Sequence, residues 1–229
     1  MEQLCNGYTL ELCDGAFPLS TDSIALSGFV RLPKQAKVLD LGSGCGTLGL
    51  LLCANDPGCA VTGVEVDANA HRMALHNIDA NGLTSRLTSI CTDLRTVPTF
   101  IEPGSFHCCV SNPPYFAAGP HSKTLPNARH EALCTLDELF RAAAWSIRFG
   151  GDFFLVHKPD RLSELCVCAT SHALEPKRLL LLRHRIADPI SLVLLQCRKG
   201  AKPGLIIEEE YLQNADGTPS EYYRRLYHI

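Results

Sequence analysis

The most constraining feature of the chain is a short apolar run that ends in a cluster of glycines. Lys37–Leu41 predicts a buried strand, and the glycine turn, Gly42-Ser43-Gly44-Cys45-Gly46, follows it directly. Residues 47–54 are apolar and predict a helix. Glycines let the backbone approach a ligand closely, and a helix N-terminus offers unpaired N–H groups. This segment therefore predicts a strand, a turn and a helix around a ligand.

The same alternation continues along the chain. Further strands are predicted over residues 59–64, 86–91, 106–111, 152–156, 179–182 and 191–197. Further helices are predicted over residues 19–30, 68–81, 135–149 and 159–173. Strands that alternate with helices indicate an α/β fold with a parallel sheet. We therefore predict a doubly wound, mostly parallel seven-stranded sheet, whose last two strands form an antiparallel C-terminal hairpin.

Glycines or polar side chains stand at four successive predicted strand ends. The first end carries the glycine turn, the second Glu65, the third Asp93, and the fourth Asn112-Pro113-Pro114-Tyr115. In open α/β sheets the ligand binds beyond the carboxyl ends of the strands. The sequence therefore predicts that these stretches share one site.

The Asn-Pro-Pro-Tyr turn suits a planar amine. The side-chain carbonyl of Asn112 and the backbone carbonyl of Pro113 can accept both hydrogens of an NH₂ group, and Tyr115 offers a flat face for stacking. Two acceptors favour pyramidal nitrogen and direct its lone pair at a methyl donor, so positioning does much of the catalytic work. The alternative is a plain turn, because Asn and Pro are common turn residues.

The other strand ends suit an adenosine-containing cofactor. Residues 44–49 match the dinucleotide pattern G-x-G-x-x-G. Glu65 can hold a ribose diol, which NAD and S-adenosylmethionine share, and Asp93 can accept from an adenine amino group. We expect Asp40 to be a buried carboxylate that hydrogen-bonds the glycine turn. The Asn112 turn has no evident role in hydride transfer, so methyl transfer is favoured over an NAD-dependent oxidoreductase.

Charge along the 229-residue chain is uneven. The formal net charge is −3, yet residues 176–202 hold seven Lys and Arg residues against one Asp. A basic stretch on an acidic protein points to a phosphate-bearing partner, and a solvated surface is the alternative. The predicted RNA-binding residues are Lys177, Arg178, Arg183, Arg185, Arg198, Lys199 and Lys202.

Cysteine usage and hydropathy indicate the compartment. The twelve cysteines include no C-x-x-C pair, so we expect reduced thiols and no metal site. No signal peptide and no apolar run of membrane-spanning length is found. We therefore predict a cytoplasmic protein without a membrane partner.

With these residues in hand, the chain resembles the class I S-adenosylmethionine-dependent methyltransferases, which have a Rossmann-like fold. V-L-D-L-G-S-G-C-G is similar to their cofactor loop, G-V-E-V-D to their acidic strand end, and N-P-P-Y to the motif of enzymes that methylate adenine, guanine or glutamine amines. More narrowly, the chain resembles the bacterial tRNA adenine-N6 methyltransferases that modify valine tRNA beside the anticodon. The matching pieces are G-A-F-P-L-S-T-D-S-I-A-L-S-G-F, N-P-P-Y-F, A-R-H-E and D-G-T-P-S-E-Y-Y.

The resemblance implies S-adenosylmethionine as the cofactor and tRNA as the partner. Phe17, Thr21 and Asp22 match a segment that closes over the methionine end of the cofactor. Cys45 departs from the expected Thr or Ser. With the strand-end residues, the expected cofactor-binding set is Phe17, Thr21, Asp22, Asp40, Gly42, Gly44, Gly46, Glu65, Asp93 and Asn112. The expected catalytic residues are Asn112, Pro113 and Tyr115.

We expect one methyltransferase domain over residues 1–229, and a monomer. Residues 1–34 form the cofactor-closing segment, 35–200 the core and 201–229 a tail. Two alternatives keep the chemistry but change the substrate: a protein glutamine N5-methyltransferase and an rRNA guanine-N2 methyltransferase. The oxidoreductase and a non-catalytic RNA-binding module remain as other classes.

Overall fold

Strands and helices alternate along the computed structural model, which describes residues 2–4, 7–15, 18–113 and 134–229. The strands are β1 Glu2–Gln3, β2 Thr9–Leu10, β3 Lys37–Leu41, β4 Ala60–Glu65, β5 Leu87–Cys91, β6 Phe106–Ser111, β7 Ile147–His157, β8 Leu174–Arg185, β9 Ile190–Lys199 and β10 Ile206–Gln213. The α-helices are α1 Thr21–Phe29, α2 Thr47–Asn55, α3 Ala68–Ala80, α4 Leu136–Ser146, α5 Leu162–Ser171 and α6 Glu221–Tyr227. Short 3-10 helices span Leu94–Thr99 and Pro159–Arg161.

Strands β3 to β10 form a single sheet in the order β10-β8-β9-β7-β6-β3-β4-β5. Strand β9 runs antiparallel to both of its neighbours, and the other pairs in this sheet are parallel. The predicted α/β class, the mostly parallel sheet and the antiparallel hairpin are confirmed. Strands β1 and β2 form a separate two-stranded sheet.

The sheet separates two apolar cores, because successive side chains of a strand point to opposite faces. On β7, Phe154 packs with Phe29 of α1 at a ring-centroid distance of 6.2 Å. Its neighbour Phe153 packs on the other face against Phe140 of α4, at 5.2 Å. Helices α1, α2 and α3 contribute to the first core, and α4 and α5 to the second.

The predicted count of seven strands is wrong, since the sheet contains eight strands within the described residues. The additional strand is β10, which lies in the predicted tail and pairs in parallel with β8. Its run of glutamates did not suggest a strand, because Glu is depleted in strands. The three carboxylates lie next to guanidinium groups in the ion pairs Arg178–Glu208 at 3.0 Å, Arg183–Glu209 at 3.7 Å and Arg225–Glu210 at 3.0 Å.

The helix predicted over residues 135–149 is shorter than expected. It ends at Ser146, and β7 begins at Ile147, which pairs with Phe106. Phe149, the last residue of the predicted helix, lies in β7 and is 79% exposed there. Among the described helices, none combines the length and apolar character that crossing a membrane requires.

Candidate active site

The glycine turn joins β3 to α2, as the sequence predicted. Gly42, Gly44 and Gly46 have φ values of 77°, 54° and 85°, a region that favours glycine. Among the described residues, apart from chain neighbours, no atom lies within 4 Å of a Cβ placed on Gly42 or Gly44, so there is open space beside the turn. The turn therefore exposes backbone next to the N-terminus of α2, where N–H groups lack helical partners.

Glu65, the last residue of β4, holds this turn in shape. Its Oε2 accepts a hydrogen bond from the Gly44 amide at 2.8 Å, and its Oε1 accepts one from the Asp67 amide at 2.8 Å. The predicted ribose contact of Glu65 stays a prediction. The structure adds that this carboxylate braces the glycine turn.

Asp40 lies beneath the turn with only 1% of its surface exposed. Burial, together with the nearby charge of Glu65, raises the pKa of the Asp40 carboxyl to about 7. Its Oδ2 has no hydrogen-bond partner within the described residues. The predicted bond from Asp40 to the glycine turn is not found there, because Glu65 accepts from that turn instead.

Asp93 caps the 3-10 helix that follows β5. Its Oδ1 accepts from the Arg95 amide at 2.9 Å, and both carboxylate oxygens accept from the Arg95 guanidinium. These hydrogen bonds lower the pKa of the Asp93 carboxyl. The predicted adenine contact stays a prediction, and Asp93 already has a structural role as a cap.

Asn112 lies at the end of β6, beside the end of β3. The two strand ends are tied together by Ser111, whose Oγ donates to the Leu41 carbonyl at 2.7 Å. The Asn112 Nδ2 donates to Ser23 Oγ of α1 at 2.9 Å. Pro113 is buried. Within the described ranges, Asn112 Oδ1 accepts no hydrogen bond and is available to a donor.

The remaining predicted residues lie around this edge or outside the described ranges. Thr21 and Asp22 are in the first turn of α1, on the same helix as Ser23. Phe17 and Tyr115 lie outside the described residues. The four strand ends belong to β6, β3, β4 and β5, which are consecutive in the sheet. The predicted meeting of the glycine turn, Glu65, Asp93 and Asn112 at one edge is therefore observed.

A family model described as "Methyltransferase small domain" matches residues 24–165, a range that contains all four strand ends. The chain belongs to the methyltransferase small domain family.

Individual relatives agree with the family. A tRNA1(Val) (adenine(37)-N6)-methyltransferase of Aeromonas hydrophila is 29% identical over 217 residues, which cover 92% of this chain and 89% of the relative. A protein of the same name from Bacteroides fragilis is 30% identical over 169 residues, covering 72% of this chain and 70% of the relative. The solved structure of a predicted O-methyltransferase from Agrobacterium tumefaciens, protein Atu636, has a TM-score of 0.75 at 17% identity and covers 91% of this chain and 96% of its own. That likeness confirms the fold.

The predicted RNA-binding residues of this methyltransferase lie at the two opposite ends of the strands. One end, the active-site edge, is formed by the carboxyl ends of the parallel strands, and the other, the far edge, by their amino ends. Strand β8 runs parallel to β7 across the intervening antiparallel β9, so only Arg183 and Arg185 lie at the edge that carries the active site. The other five lie at the far edge: Lys177, Arg178, Arg198, Lys199 and Lys202. Several are engaged by the protein itself, as in the bonds from Arg198 to Asp152 at 2.9 Å and from Lys199 Nζ to the Ala144 carbonyl at 2.6 Å. The structure therefore does not bring the seven residues together.

Sequence reasoning missed two asparagines, Asn77 of α3 and Asn81 just after its end, that hold the N-terminal segment of the methyltransferase. Asn77 accepts from the Glu11 amide at 2.9 Å and donates from Nδ2 to the carbonyls of Glu11 and Cys45, each at 2.9 Å. Asn81 exchanges hydrogen bonds with the backbone of Thr9, each at 2.8 Å. The available signal was the i, i+4 spacing of two polar residues on one helix, with Asn77 at a position among apolar neighbours.

Proposed function

We propose that the chain is an S-adenosylmethionine-dependent methyltransferase that acts on the exocyclic N6 amine of an adenine in tRNA. The observation that carries the proposal is Asn112, an amide that donates to Ser23 and keeps Oδ1 for a donor. An acceptor at this strand end is what a planar NH₂ group needs, and the named relatives act on such an amine in tRNA.

The residues at the sheet edge fit the cofactor. The open backbone of Gly42 and Gly44 admits a ligand, and Glu65 offers carboxylate oxygens beside it. The buried Asp40 Oδ2 lacks a partner among the described residues, and a polar ligand can supply one directly or through water. S-adenosylmethionine, when bound, provides an electrophilic methyl group whose sulfur leaves as a neutral thioether.

The protein's own contribution is to hold and orient the amine. Asn112 Oδ1 and the Pro113 carbonyl accept its two hydrogens, which withdraws the nitrogen lone pair from the ring. The amine then presents this lone pair towards the cofactor side of the edge. The nitrogen loses one proton to water after the new N–C bond has formed. No strong acid is required, because the leaving group is neutral. Positioning and electrostatics therefore supply most of the rate.

The direct test uses purified protein, methyl-labelled S-adenosylmethionine and unmodified total tRNA, followed by nucleoside analysis. We expect label in N6-methyladenosine. Label in a guanine nucleoside would move the target to the rRNA-type alternative, and absence of label in RNA despite cofactor binding would move it to a protein amide. Either result would overturn the proposed substrate. A tRNA substrate also fits the expected cytoplasmic location.

We further propose that tRNA phosphates contact the active-site edge and not the far edge. Arg185→Glu, at the active-site edge, is expected to raise the KM for tRNA by about tenfold and to reduce the salt dependence of binding by about one phosphate contact. Lys202→Glu, at the far edge, makes the same change in charge and is the matched control. Both side chains are exposed. Binding measured at several salt concentrations checks this, and equal weakening by the two variants would contradict the assignment.

A further inference from the structure

Ser23 of α1 accepts a hydrogen bond from the Asn112 side chain. We infer that Ser23 is a positioning residue, which holds the Asn112 amide so that Oδ1 faces the substrate amine. The inference rests on the proposed function and deepens it, because it explains how a side chain on α1 controls an acceptor at the end of β6.

The contact is long-range and partly buried. Ser23 Oγ lies 2.9 Å from Asn112 Nδ2, although the two residues are 89 positions apart in the chain. Ser23 is 7% exposed. Helical serines commonly bond back to a carbonyl one turn earlier. Ser27, on the same helix, donates to the Ile24 carbonyl at 2.8 Å. The Ser23 oxygen instead accepts a bond from another element, from Asn112 Nδ2 at the end of β6.

The chemistry of an amide gives this contact its consequence. An asparagine side chain has a carbonyl at one end and an NH₂ at the other, and the two ends have nearly the same shape. Only the carbonyl end can accept from the substrate amine. A hydroxyl that accepts from Nδ2 leaves Oδ1 directed away from α1. Donation through Nδ2 also polarises the amide, which strengthens Oδ1 as an acceptor.

Loss of the Ser23 hydroxyl should lower the rate of turnover and leave substrate binding unchanged. As the new N–C bond forms, the amine nitrogen becomes positive, so its hydrogen bond to Oδ1 strengthens in the transition state. Groups that act only in the transition state change kcat. Ser23 does not touch the amine, so its loss leaves the substrate affinities almost unchanged.

The primary test compares Ser23→Ala with Ser27→Ala. Both remove a buried hydroxyl from α1, and alanine is a good helix former, so both variants should fold. With methyl-labelled S-adenosylmethionine and unmodified tRNA, we expect Ser23→Ala to lower kcat about tenfold, the equivalent of one hydrogen bond, with both KM values within about twofold. Ser27→Ala should retain wild-type kcat. Equal kcat for wild type and Ser23→Ala would overturn the inference.

A double-mutant cycle separates positioning from a general effect on the fold. If Ser23 acts through Asn112, then Ser23→Ala should cause no further loss in an Asn112→Ala background. An additional tenfold loss there would show that Ser23 acts independently of the amide, contrary to the inference.

A measurement without turnover keeps the test independent of the substrate. In ¹⁵N–¹H spectra, the Asn112 side-chain NH₂ resonances should shift in Ser23→Ala and stay unchanged in Ser27→Ala. If wild type methylates no RNA, the proposed function fails, and these spectra still decide whether Ser23 holds the amide. Unshifted Asn112 resonances in Ser23→Ala would overturn the inference by themselves.

Discussion

Replacement of Asn112 with alanine is expected to lower kcat for RNA methylation by about a hundredfold to a thousandfold. The loss of one preorganised hydrogen-bonding group at a reacting centre has this size, and the Oδ1 acceptor is the group that Asn112 contributes. Affinity for S-adenosylhomocysteine should change little, because the glycine turn and Glu65 lie on other strands. Steady-state kinetics measure the loss of kcat, and calorimetric titration measures the affinity for S-adenosylhomocysteine.

Asn55→Ala is the matched control for this experiment. Asn55 is exposed at the end of α2 that lies away from the glycine turn, so its removal should leave kcat unchanged. Full activity of Asn112→Ala would show that the amide is not the acceptor. A large loss of cofactor affinity would instead assign Asn112 to cofactor binding.

Asp40 should make the free protein less stable as the pH rises. Its folded-state pKa of about 7 is above its ordinary value of 3.8, so between these values the folded protein retains a proton that the unfolded chain releases. Raising the pH then favours unfolding, and the stability that depends on the Asp40 proton is fully lost above about pH 7. Between about pH 5 and about pH 8 the free energy of unfolding should fall by on the order of 3 kcal/mol from this group.

The measurement is urea unfolding of wild type and Asp40→Asn across this pH range without cofactor. Wild type should lose stability relative to Asp40→Asn as the pH rises, because asparagine does not ionise. Asp79→Asn changes an exposed aspartate of α3 and is the control. Parallel pH profiles for wild type and Asp40→Asn would contradict the raised pKa.

The strands that position the site could be predicted because their signals are local. The apolar run of β3, the glycine turn and the start of α2 are contiguous, so the sequence places them without knowledge of distant contacts. Strand β10 lacked such a signal. Glu208 and Glu209 form ion pairs with Arg178 and Arg183 of β8, and Glu210 forms one with Arg225 of α6; all three arginines are distant in sequence.

The contacts that shape the site were harder to predict than its residues. Glu65 was expected at the site, but its bond to Gly44 spans 21 positions, and that from Asn112 to Ser23 spans 89. Such pairs follow from the crossing of helices and strands, which a residue pattern does not encode. The basic residues illustrate the same limit, because a count along the chain groups Arg185 with Lys202 although β8 and β9 carry them to opposite edges.

Asn77 and Asn81 link the N-terminal segment to the glycine turn. Within the described residues, β1 and β2 pair with each other and with no strand of the main sheet. The N-terminal segment is held by the burial of Leu4 and Leu10 in the first core and by the side-chain bonds of Asn77 and Asn81, and Asn77 also donates to the carbonyl of Cys45 in the glycine turn. Local opening of a segment costs less free energy than global unfolding. Because the same Asn77 side chain bonds Glu11 and Cys45, local opening of this segment would also disturb a side chain that contacts the glycine turn.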